Sequence, residues 1–83
     1  MVFFALTKSG FDELVALIGR APSPVWVNFG VLSKSEIAKL RESGVDLTDF
    51  SSDIAFNPTD LDSALDTIWQ HHPGSTLWVG HSA

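Results

Sequence analysis

Four polar residues fall where a small α/β chain could do chemistry. Lys8, Asn28, Asp49 and His81 each stand at or just beyond the end of a short apolar run. In open parallel sheets ligands bind outside the carboxyl ends of the strands. An ammonium, an amide, a carboxylate and an imidazole converging there would form a candidate pocket for a small polar ligand or an acid–base step. The competing reading is plain, since loops at strand ends lie on the surface of any globular protein.

His71-His72 and His81 are the histidine cluster. Neighbours on a helix point ~100° apart, so the pair is poorly placed to chelate one metal. We read it as a helix C-terminus, where imidazoles meet free carbonyls, with His72 covering the core. Asp46, Asp49, Asp53, Asp60 and Asp62 are dense in acid, but they lack the ligand spacing of a calcium loop. Solvated loop charge and helix capping account for most of them. No metal and no cofactor is implied. Ser82 beside His81 belongs to a short polar tail, there is no GxSxG elbow, and no cysteine is available as a nucleophile. The chain has no catalytic motif, and enzyme activity is not the favoured reading.

Net charge excludes further classes. The formal charge is −5, with five basic residues scattered as Lys8, Arg20, Lys34, Lys39 and Arg41, so the basic patch needed for nucleic acid or an anionic membrane is missing. Three expected helix starts carry their own acid (Asp12, Glu36, Asp62), which would occupy the free N–H groups and repel phosphate. Neither GxGxxG nor the P-loop spacing occurs. The opening MVFFAL is apolar but short and lacks a basic leader, and no run approaches the ~18 apolar residues of a membrane span. These features predict a soluble, cytoplasmic protein. The 83 residues, 45% apolar and 18% charged, suit one small globular domain.

The elements that must position these residues centre on Pro24–Val45. Val25, Val27 and Phe29 alternate with Trp26 and Asn28 as in a packed strand, entered between Pro22 and Pro24 and ended by Gly30. Ser33 stands three residues before Glu36, the spacing of a capping box, with Leu32 and Ile37 as the apolar staple. Gly44 suits the C′ position and Val45 could close onto Leu40. Before this unit, Val2–Leu6 is a continuous apolar run, as in a strand buried on both faces. Ser9, with Asp12 three residues on, predicts the start of a helix whose apolar arc includes Phe11, Leu14, Leu17 and Ile18. After the unit, the segment 45–57 reads two ways. Val45–Phe50 alternates as a half-exposed strand, and Ile54-Ala55-Phe56 is a second extended piece or a packed loop. Thr59, followed by Asp62, predicts a third helix with a stripe of Leu61, Ala64, Leu65, Ile68 and Trp69. Pro73-Gly74 breaks it, and Thr76–Val79 is the last strand.

The order βαβαβαβ predicts a mostly parallel, four-stranded open sheet with three helices. Four strands span roughly 19 Å and one helix covers about 10 Å, so three helices leave part of one face bare. Trp26 and Trp78 are the candidates to lie on it, as a candidate interface. The leading functional reading is therefore a protein–protein interaction or regulatory module that binds a partner or itself. The alternative is a small-ligand or minor enzymatic domain using the strand-end pocket. An acidic mimic of nucleic acid is a third reading, for which −5 is a modest charge.

Overall fold

The strands and helices alternate as β1 (Val2–Ala5), α1 (Lys8–Ile18), β2 (Val25–Val27), α2 (Lys34–Glu42), β3 (Leu47–Asp49), α3 (Pro58–His71) and β4 (Leu77–Gly80). They are seen in a computed structural model that describes residues 1–55 and 57–81. The expected parts of the chain at Phe56, Ser82 and Ala83 lie outside the described residues. The strands form one sheet in the order β3-β2-β1-β4, and every neighbouring pair is parallel. Of segment 45–57, Leu47–Asp49 forms the short parallel strand β3 and residues 50–55 form a packed loop, so no antiparallel strand enters the sheet among the described residues.

Register sorts the side chains onto two faces. Phe3, Val25, Leu47 and Trp78 share one face, and Phe4, Trp26 and Val79 share the other. On the first, Phe11 and Leu14 of α1 and Ile37 of α2 pack on Ala5, Val25 and Val27. On the second, Ala64 and Ile68 of α3 pack on Val2, Phe4, Leu6 and Trp26. Both faces of β1 are thus buried, which is why its sequence is apolar without alternation. Phe4 and Ile68 are fully enclosed, and each such side chain contributes about 1.5–3 kcal/mol by leaving water.

Local sequence explains α2 closely. Ser33 Oγ accepts from the Glu36 N–H while Glu36 Oε1 accepts from the Ser33 N–H. At the other end the Val45 N–H donates to Leu40 O and the Gly44 N–H to Arg41 O, with Gly44 at φ 98°. This is the paired arrangement of a Schellman stop. The other two helices begin two residues earlier than their Ser and Thr signals suggest. Thr7 caps α1 by accepting from the Gly10 N–H, and Asn57 caps α3 by accepting from the Asp60 N–H, with Pro58 at the first helical position. In each case a side-chain acceptor with extended backbone stands just ahead of the favoured Ser or Thr, and it takes the cap.

Candidate functional site

The four polar strand-end residues do not converge. Lys8 opens α1 and forms exposed ion pairs with Asp12 at 3.5 Å and Glu36 at 3.3 Å, with its ammonium also 5.4 Å from the centre of the Phe11 ring. Asp49 pairs with Arg41 at 3.4 Å. His81 follows β4, at the opposite margin of the sheet from Asp49, about 14 Å away at the usual strand spacing.

Asn28 is 5% exposed and wholly committed to structure. Its amide nitrogen faces Leu6 O at 3.2 Å, Ile54 O at 3.1 Å and Asp53 Oδ1 at 3.1 Å. Its Oδ1 accepts from the N–H groups of Phe29 and Ile54, both at 2.8 Å. It fastens the loop after β3 across the end of β1, so that Phe50 and Ile54 pack on the α3 face. That loop, together with α3, shelters the part of the sheet that helix counting leaves bare.

A cavity of about 650 Å³ lies at the ends of β2 and β3, bordered by Phe29, Ser33, Lys34, Glu36, Asp49 and Phe50 among others. Its two acids already have partners. Glu36 is held below its ordinary carboxylate range, first by the backbone N–H of Ser33 and next by the hydrogen bond from Lys8. The acid expected at every helix start is present in the first turn of α2 and α3 and absent from that of α1. Asp12 pairs with Lys8 instead, and the Asp60 carboxylate, where Asp62 was expected, accepts from the Ala55 N–H.

The two tryptophans expected to share an open face do not share one. Trp26 is 6% exposed and packs against Phe50 and His71 in tilted contacts and His72 edge-on, at ring separations of 5.5, 5.3 and 6.2 Å. Its place on the interior strand β2, under α3, enforces that burial. Trp78 lies on the edge strand β4, on the α1 face, and is 48% exposed. Beside it is an apolar groove of about 270 Å³ lined by Met1, Phe3, Leu14, Leu17, Ile18 and Trp78. Leu17 is 74% exposed. It sits on the expected apolar arc of α1, but only the part of that arc around Phe11 and Leu14 reaches the sheet core.

The two margins of the sheet are finished differently. At β3, the register turns the Leu47 N–H and C=O away from β2, because the flanking Asp46 carbonyl accepts from Val25 and the Phe50 N–H donates to Val27. Arg41 reaches over from α2 and donates to that outward Leu47 carbonyl through Nε at 3.2 Å and a terminal nitrogen at 3.0 Å. At β4, Thr76 O and Gly80 O accept from Val2 and Leu6 of the β1 segment. The N–H and C=O groups of Leu77 and Val79 therefore face outward, and no group among the described residues covers them. Arg41 and Leu17 were not singled out from sequence. The Arg41 role has no local signal, whereas Leu17 on an arc wider than one helix can bury was a visible hint.

No group of three or more potential metal ligands comes together among the described residues, and no helix among them is long and apolar enough to cross a membrane. Compared with protein-family models, curated proteins and solved structures, the chain matches none.

Proposed function

We propose that the protein is a cytoplasmic protein-binding module that receives its partner on the β4–α1 margin. The observation that supports this reading most is Trp78. A half-exposed indole stands beside the exposed Leu17 and an apolar groove, next to a strand edge that no group among the described residues covers. Large aromatic side chains on such a patch are the usual anchors of protein interfaces. Lys8, Asn28 and Asp49, by contrast, are already engaged, Lys8 with Asp12 and Glu36, Asp49 with Arg41, and Asn28 with Asp53 and the backbone.

A photo-crosslinking amino acid placed at Leu17 or Trp78 in cells that make the protein is expected to yield discrete protein adducts. The same probe at Ala38, on the exposed side of α2, should yield none. Adducts at Ala38 alone would move the binding surface elsewhere. A small-molecule adduct from a probe at Phe29, with none at Leu17, would favour the cavity at the ends of β2 and β3. Stability separates the two indoles: Trp26→Ala should cost about 3–5 kcal/mol, and Trp78→Ala about 1 kcal/mol.

A further inference from the structure

We propose that the partner on this margin is a second copy of the same chain, joined by antiparallel pairing of β4 with β4 into one eight-stranded sheet; this rests on the margin being the binding surface. The two edges of the sheet are protected differently. Natural sheets block their margins with charge, proline, bulges or a covering group. Here β3 has Arg41 across its outward carbonyl, while Leu77–Gly80 contains no charge and no proline.

The open edge is also symmetric about its middle residue. The outward residues Leu77 and Val79 lie equally to either side of Trp78. A two-fold axis through Trp78, perpendicular to the sheet, sets Leu77 opposite the other copy's Val79 and the reverse. Each of those pairs exchanges both its N–H and C=O groups, giving about four hydrogen bonds. Trp78 then faces its own counterpart as the closer, non-bonded pair at ~4.5 Å between Cα atoms, with both indoles on the α1 face. The edge is its own complement.

Charge and area favour a folded copy over a short peptide. Each chain carries −5, yet no charged side chain lines the Trp78 groove, so the groove itself adds no like-charge repulsion between two copies. A stable interface needs about 500 Å² from each side, a tenth of the 5019 Å² this chain exposes. The half-exposed Trp78 supplies only ~100 Å² of that. A four-residue peptide strand would pair with β4 and leave Leu17 and Met1 wet. A second copy brings its own α1 against them.

Sedimentation equilibrium from about 1 μM to 1 mM, with amide hydrogen exchange at Leu77 and Val79 on the same samples, tests this. The expected result is a species of twice the 9.0 kDa chain mass, strengthened by added salt as the like charges are screened. The Leu77 and Val79 amides should gain protection as it forms. Val79→Pro removes one outward donor, and Trp78→Ala removes the central contact. Each should weaken association by about tenfold or more, with circular dichroism reporting retained fold. Exchange on the unmodified chain decides the matter if Val79→Pro does not fold. A single-chain mass throughout overturns self-pairing and leaves the partner reading standing. A dimer that keeps its strength in Trp78→Ala and leaves both amides unprotected overturns both.

Discussion

Gly10 and Gly80 meet backbone to backbone where α1 crosses the end of β4. A Cβ on Gly80 would stand 2.6 Å from the Gly10 carbonyl oxygen, and one on Gly10 would overlap the Gly80 carbonyl. Neither glycine has positive φ, so the requirement is space rather than backbone freedom. The contact closes the gap between β1 and β4. That gap is the point where successive connections reverse direction across the sheet, and open α/β folds bind ligands there. In this chain the backbone fills it, and the apolar groove beside Trp78 lies elsewhere, against α1.

Gly80→Ala is therefore expected to destabilise the fold by about 1–3 kcal/mol through overpacking. Ser9→Ala, one residue from the contact and exposed, should stay within about 0.5 kcal/mol of the parent. Urea unfolding followed by far-UV circular dichroism measures both. Equal stability of Gly80→Ala and the parent would mean that α1 can lift off β4 freely.

Asn28→Ala should cost roughly 3 kcal/mol, since it strands the buried Leu6 carbonyl and the Ile54 N–H together. Limited proteolysis should then cut within 51–55 before any helix. Asn28→Asp should be no better at neutral pH, because a carboxylate would face two carbonyls and Asp53. It should partly recover in acid as that carboxyl is protonated. Cleavage of both variants at the parent rate would show that the loop is held by packing alone.

Glu36 gives the acid limb of stability a defined sign. Its folded pKa lies below the ordinary 4.5, through the Ser33 N–H first and Lys8 second. Its contribution is therefore present above pH 4.5 and fades as pH falls through the lower, folded value. Glu36→Gln keeps a capping acceptor but cannot titrate, so its stability should fall less between pH 5 and about pH 3. Ser33→Ala, which removes the cap itself, should cost about 1 kcal/mol at pH 7. Parallel pH profiles for Glu36→Gln and the parent would remove Glu36 from the acid transition.

Arg41→Ala tests whether the β3 margin is guarded. The exposed pair with Asp49 contributes at most about 1 kcal/mol, so the fold should survive. The variant frees the outward Leu47 carbonyl, and with two open edges the chain should form species larger than a dimer as concentration rises. Light scattering that shows the same size distribution for Arg41→Ala and the parent would mean that the guanidinium is not what blocks β3.

The segments legible from sequence are those whose groups are satisfied within a few residues. Helix α2 is the clearest: Ser33 and Glu36 satisfy each other, and Gly44 with Val45 closes the far end. The buried run of β1 and the alternation of strand with helix are of the same kind. The caps of α1 and α3 were misplaced because Thr7 and Asn57 compete with Ser9 and Thr59 for the same helices, and the choice rests on how the preceding strand or loop delivers the backbone.

Strand order has no local signature, and it governs the surface. Trp26 and Trp78 sit in similar apolar runs, but one lies on an interior strand beneath α3 and the other on an edge. Asn28 could be placed at a strand end from sequence, but not its grip on residues 53 and 54, which needs the chain to return after β3. Arg41 guards one margin only because α2 lies beside β3. Sequence alone determined which segments are strand or helix, because short-range hydrogen bonds and side-chain periodicity decide that. The tertiary structure decided which apolar residues stay wet, because burial depends on partners far along the chain.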